Sequence, residues 1–179
     1  MIIWINGTYG VGKTSTAIKI CEKLKNKKVE LISSDYYYQK IIKEIVELGG
    51  GVLPQNNKLF LSKFKEIVEQ KIFNSPNIII IDMAITQKEC KEELFDYFNK
   101  EYKDFFHFIL TAQFETVQDR ISMDDDRANE YKDDALYYLN ENVMFLSNNF
   151  QSAIWIDTNN KNIDEIAIEI IQYIKTKRY

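Results

Sequence analysis

Short runs of consecutive apolar residues alternate along the chain with longer stretches in which apolar residues return every three or four positions. The runs occupy residues 1–6, 29–33, 77–82, 105–111 and 153–157. Largely apolar character over so few residues marks strands, and an unbroken apolar run marks one covered on both faces. Four consecutive isoleucines, Ile78 to Ile81, place the third run at the centre of a sheet. Helical periodicity covers residues 13–26, 36–48, 58–73, 87–100, 115–122, 131–149 and 163–176. In the first of these, Ala17, Ile18, Cys21 and Leu24 share a face, which makes Cys21 a core residue. In the last, Ile163, Ile166, Ile170 and Ile174 form a stripe that reads as core. Gly49, Gly50 and Gly51 predict a helix stop with a flexible loop, or a hinge for substrate entry.

Strand–helix alternation with right-handed crossovers predicts an α/β fold in three layers: five parallel strands with helices on both faces. A ligand then belongs beyond the C-terminal ends of the strands. The 179 residues suit one domain, 1–179, large enough for a full core. No repeat or low-complexity segment interrupts it.

One stretch at such a strand end carries specific chemistry. Gly7-Thr8-Tyr9-Gly10-Val11-Gly12-Lys13-Thr14 has two glycines separated by four residues and followed by Lys and Thr. At this chain's own residue frequencies a chance match has a probability of about 0.002. It lies between the first strand and the first helix, the context the phosphate-binding loop requires. Glycines let the backbone N–H groups of residues 7–15 turn inward at phosphate oxygens, and Ser15 sits in the helix's first turn. Lys13 is placed for the β- and γ-phosphates and the Thr14 hydroxyl for Mg²⁺. Asp82, ending the third strand, is the candidate second magnesium ligand, or else a residue capping the next turn.

The chemistry narrows further. Met83 follows Asp82, so the Asp-Glu pair with which motor ATPases activate water is missing. The guanine-binding Asn-Lys-x-Asp is missing too, since Asn160-Lys161-Asn162-Ile163-Asp164 has one residue too many. Asp35, after the second strand, is a candidate general base toward an acceptor hydroxyl, a substrate ligand, or a helix cap. Tyr36, Tyr37 and Tyr38 offer an aromatic wall, although three adjacent positions cannot all face one way. In a lysine-rich chain with only Arg120, Arg127 and Arg178, the first two stand where a lid would close on phosphates. Arg127 also has acidic neighbours with which it could pair on a solvated loop. The segment Asp157-Thr158-Asn159-Asn160 is a candidate edge for adenine, or a polar turn. His107, inside an apolar strand, reads as structural. The lid is expected at about 122–130 and the acceptor-binding region at about 35–57.

Composition is that of an ordinary globular protein, with 45% hydrophobic and 28% charged residues. A net charge of −4 gives nucleic acid or an anionic membrane no electrostatic hold. No apolar run reaches membrane-spanning length, and the chain opens on its first strand, so no signal peptide is expected. Cys21 and Cys90 suggest neither a metal site nor a disulfide framework, and a reducing cytoplasm is the expected setting. The expected assembly is a monomer or homodimer.

These residues resemble the small P-loop kinases, the superfamily of nucleoside-monophosphate and shikimate kinases. More closely, the chain is similar to the tunicamycin-resistance ATP-binding proteins (TmrB-like). The likeness is carried by Met1 to Thr14, by Met83-Ala84-Ile85-Thr86, by His107-Phe108-Ile109-Leu110 with Glu115, Thr116 and Arg120, and by Asp157-Thr158-Asn159. It implies ATP with Mg²⁺ and a small-molecule acceptor, such as a nucleoside-like antibiotic or a metabolite. The chain departs from that pattern at Asp82, where the family carries no carboxylate, and at Ser122-Met123-Asp124, which replaces a second lid arginine. The C-terminal extension associated with membranes in that family is short here, Lys175-Thr176-Lys177-Arg178-Tyr179, so membrane binding is not expected.

Overall fold

A computed structural model of the chain describes residues 1–47, 54–74, 77–124 and 129–177. Five parallel strands form one sheet in the order β2-β3-β1-β4-β5. They are β1 (Ile2–Gly7), β2 (Val29–Ser33), β3 (Ile78–Asp82), β4 (Phe105–Thr111) and β5 (Ile154–Asp157). The central pairings run Ile5 to Asp82, Trp4 to His107 and Ser33 to Asp82.

The helices are α1 (Lys13–Lys23), α2 (Ser34–Glu47), α3 (Lys58–Asn74), α4 (Lys88–Cys90), α5 (Asp96–Glu101), α6 (Phe114–Ser122), α7 (Asn129–Tyr137), α8 (Leu139–Asn149) and α9 (Ile163–Lys177). Two cores make the outer layers. Ile2 and Trp4 of β1, with Ile79 and Ile81 of β3, point to a core closed by Phe60, Phe64 and Val68 of α3 and by Leu94 and Phe98. Ile3, Ile5, Ile78 and Ile80 point the other way, onto Ala17 and Ile20 of α1, Val117 and Ile121 of α6, and Ile166 and Ile170 of α9. Period-two alternation within buried strands therefore sends each isoleucine to a defined layer. The expected three-layer architecture is the observed one. No helix among the described residues is long and apolar enough to cross a membrane.

Three local expectations change. The helix expected over 87–100 is interrupted: between α4 and α5, Lys91–Phe95 forms a π-helical turn. At a plain 3.6-residue period Leu94 and Phe95 would point about 100° apart; the wider turn lets both pack in the core with Cys90 and Phe98. The helix expected over 131–149 is two helices joined at Tyr138. Leu139 packs in one core while Leu146 and Phe150 pack in the other, so the chain bends to cross the end of the sheet. Cys21 is half-buried at the edge of its core rather than inside it. The glycines at 49–51 lie outside the described residues.

Candidate active site

The site grows from the end of β1. Asn6, fully buried, accepts hydrogen bonds on Oδ1 from the Gly7 N–H at 2.7 Å and the Ile85 N–H at 2.8 Å. Its Nδ2 lies 3.2 Å from His107 Nε2. An amide NH₂ can only donate, so that imidazole nitrogen accepts and the ring is neutral. Burial pushes the His107 pKa down to about 3, in keeping with a neutral ring packed against Phe95 and Phe150. The structural role expected for His107 is thus given a partner: it orients the amide that ties the start of the loop to the segment after β3.

The loop then turns through Gly7, Gly10 and Gly12 at φ 141°, 75° and 91°. At Gly7 a side chain is doubly barred, because a Cβ would lie 2.6 Å from the Leu110 carbonyl oxygen. α1 begins at Gly12 with no side-chain cap and no acidic residue in its first turn. Its first N–H groups and the helix dipole are therefore left for an anion. Lys13 Nζ donates to the Thr8 carbonyl at 2.8 Å, folded back over the loop.

The Thr14 hydroxyl donates to Asp82 Oδ2 at 2.7 Å. Among the described residues, no group of three or more His, Cys, Asp or Glu side chains gathers to hold a metal. Magnesium bound with phosphates needs only one or two protein ligands and keeps several waters, so a hydroxyl–carboxylate pair beside a phosphate loop fits it.

All of this opens into a cavity of about 730 Å³ at the C-terminal ends of the strands. Thr8, Tyr9, Gly10, Gly12, Lys13, Thr14 and Ser15 line its middle. On the β4–β5 side it is bounded by Arg120, Lys161, Asn162 and Ile163. On the β2–β3 side it is bounded by Ser34, Asp35, Gln55, Phe60, Met83, Ala84 and Thr86. Asp124 and Asn142 also reach it.

The structure thus gathers Lys13, Thr14, Asp35, Asp82 and Arg120 around one space. Asp35 is exposed and lies inside the first turn of α2, which already begins at Ser34, rather than at the cap position. Arg120 donates to the Thr158 hydroxyl at 3.0 Å and the Thr158 carbonyl at 2.9 Å, while that hydroxyl donates to Thr111 O at 3.0 Å. Gly7 and Val11 shape the loop from behind, with Val11 in the core. Asn159 does not line the cavity: its Oδ1 accepts from the Gln113 N–H at 3.0 Å and its Nδ2 donates to Asp157 at 2.7 Å. Lys161 to Ile163 take the edge expected of it. Arg127 and the middle of the expected lid lie outside the described residues.

The three adjacent tyrosines form no wall of the cavity. Tyr37 packs on Phe64, Tyr38 packs on Phe60, and Tyr36 is exposed. The aromatic residues that line the cavity among the described residues are Tyr9, in the loop, and Phe60, itself buried in the core behind it. Sequence reading also missed Gln55, whose Oε1 accepts from the Thr86 N–H at 2.8 Å and lies 3.3 Å from the Thr86 hydroxyl. A lone Gln after a glycine-rich stretch gave no signal.

No protein-family model and no curated protein matches the chain. Solved structures do. The tunicamycin resistance protein of Deinococcus radiodurans is 20% identical, at a TM-score of 0.70 over 97% of this chain and 95% of that one. Shikimate kinase from Acinetobacter baumannii, in complex with shikimate, is 18% identical, at 0.65 over 98% and 93%. A gluconokinase from Sinorhizobium meliloti 1021 is 13% identical, at 0.66 over 97% and 91%. At such identities the likeness establishes the fold: this chain shares the three-layer α/β architecture of these proteins.

Proposed function

We propose that the protein is an ATP-dependent kinase that moves the γ-phosphoryl group to a hydroxyl of a small molecule in the cytoplasm. The observation that carries this reading is the 2.7 Å Thr14–Asp82 hydrogen bond, set beside Lys13 and the uncapped start of α1 in one cavity with Asp35. The shikimate kinase and gluconokinase among the structural neighbours are enzymes of that kind by name.

Mg·ATP, when bound, supplies the phosphoryl group and the divalent charge for its transfer. Lys13 exchanges the Thr8 carbonyl for phosphate oxygens, joined by the N–H groups of the loop and of Ser15. Thr14 and Asp82 would hold the magnesium ion. Asp35 takes the proton of the acceptor hydroxyl while that oxygen bonds to the γ-phosphorus and ADP departs. Arg120, through guanidinium donors not engaged by Thr158, and Arg127 from the lid neutralise the charge that spreads over the transferring group. Asn159 acts at one remove, by fixing the turn after β5.

A second reading has its own support. Met83, buried, stands where a water-activating glutamate would be, so the site is equally suited to hold ATP without turning it over. Such a protein would bind a small molecule in a nucleotide-dependent way, as a resistance protein that sequesters a drug would.

Mass analysis of acceptors incubated with Mg·ATP separates the two. The kinase reading expects one phosphate gained on an acceptor, lost with Lys13→Ala. Asp35→Asn should lower kcat about 10²-fold or more while leaving ATP affinity within about threefold. Full activity in that variant removes Asp35 from the mechanism. Acceptor binding that needs ATP yet yields no phosphorylated product favours sequestration.

A further inference from the structure

The cavity is electrically lopsided. The P-loop divides it into a half beneath β4 and β5 and a half beneath β2 and β3. Every cation among the described lining residues belongs to the loop itself or to the β4–β5 half: Lys13, Arg120 and Lys161. The β2–β3 half holds the Asp35 carboxylate and no cationic side chain among the described residues; Asp82, engaged by Thr14, stands at its boundary with the loop, and Asp124 lines the cavity beside Tyr9. Residues 48–53, which precede Gln55, contain no Lys or Arg in their sequence.

The polar groups in that half are also committed in a particular sense. The Thr86 N–H is a donor and can only meet an acceptor, so it fixes which end of the Gln55 amide is oxygen. What Gln55 has left to offer a ligand is its NH₂, an uncharged donor. Beside it stand the Thr86 hydroxyl, the Phe60 ring and the Met83 side chain. An anion seated here would lose water without gaining a counter-charge, next to Asp35.

Resting on the kinase reading, we infer that the β2–β3 half of the cavity takes an uncharged, hydroxyl-bearing acceptor and discriminates against carboxylate and phosphate esters, with Gln55 as a specificity-determining residue. Nucleoside monophosphates, shikimate and gluconate are thereby disfavoured, and their neutral counterparts are the class to search. The asymmetry gives each half one task. The cationic half meets the triphosphate, and the half without cations meets the neutral acceptor whose hydroxyl Asp35 addresses.

The test uses the full chain loaded with Mg²⁺ and a non-hydrolysable ATP analogue, titrated calorimetrically with matched pairs that differ in one anionic group. These are glucitol against gluconate, methyl shikimate against shikimate, and uridine against uridine monophosphate. The expected result is that the neutral member of at least one pair binds about tenfold tighter or better than its anion. Gln55→Arg should close or reverse that gap by tightening the anion about tenfold. Tighter binding of the anions, equal binding within every pair, or no binding by any probe overturns the inference. Turnover is read separately, by mass with Mg·ATP. Neutral binding without product leaves the inference standing while the kinase reading fails. Product formed on an anionic acceptor keeps the kinase reading and removes the inference.

Discussion

Two helices, α1 and α9, begin at the same cavity in opposite ways. α9 is closed by its own side chains: Asn162 Oδ1 accepts from the Glu165 N–H at 3.0 Å, and Glu165 Oε2 accepts from the Asn162 N–H at 2.8 Å. Asp164 and Glu165 add negative charge to its first turn. α1 has none of this; its first turn is Lys13, Thr14 and Ser15 behind a glycine at φ 91°. With glycine at the cap position, the missing side-chain cap costs α1 only about a few tenths of a kcal/mol. A helix with an anion to bind gains by leaving its first N–H groups open, and one with only a structural task gains by closing them.

That contrast can be broken at several points. The largest effect is expected at Gly7, whose conformation delivers the chain to α1. Gly7→Ala sets a methyl against the Leu110 carbonyl and should cost about 3 kcal/mol or more, read from the urea midpoint. An unchanged midpoint would mean that the loop does not need its left-handed turn.

Next comes pH, through the Asn6–His107 support beneath the loop. Burial holds His107 at about 3 against an ordinary 6.5, so below pH 6.5 the unfolded chain binds a proton that the folded chain refuses. The stabilisation is full above pH 6.5 and is lost progressively as pH falls toward 3, by about 2 kcal/mol at pH 5. Denaturation at fixed pH values should show this slope, and His107→Gln should flatten it between pH 6.5 and 5. A slope indifferent to the substitution would assign the effect elsewhere.

Ser15→Glu gives α1 the acidic first turn that α9 has. Without nucleotide it should stabilise the protein by about 0.5 kcal/mol, while Mg·ATP affinity falls about tenfold. Should both quantities stay put, the open start of α1 is not the phosphate site. The smallest effect is Glu165→Ala, which removes half of the α9 cap. It should lower stability by about 0.5–1 kcal/mol and leave Mg·ATP affinity within about twofold, so any large loss of nucleotide would show α9 doing more than closing the site's edge.

How much of this was legible in the sequence follows from the range of each signal. β4 was read to the residue because an apolar run bounded by polar residues reports burial locally; the bounds of β2 matched as well, although in this edge strand only Ile32 is buried. The place of the loop between β1 and α1 was legible because the strand–glycine–helix spacing is itself the geometry, and the place of Asp82 because it closes an apolar run. The π turn at Lys91–Phe95 left no mark, since inserting one residue into a helix alters its phase without altering its composition. Nor did the division of α7 from α8, which arises where the chain passes from one layer to the other. At the site, what escaped were pairings across distance: Asn6 with His107, 101 residues apart, and Gln55 with Thr86, 31 apart. Asn159 was placed by its nearness to a strand end, but its side chain is turned to Gln113.

The hydrogen bond from Trp4 Nε1 to the Met83 carbonyl, 3.1 Å long, makes the protein its own optical gauge. Of its two indoles, Trp155 is 38% exposed on the last strand and Trp4 is wholly enclosed. Iodide should quench the first and spare the second. The unquenched, blue-edge emission then comes from a ring tethered to the segment that leads to Thr86, so an acceptor's arrival there would shift that light without any added label.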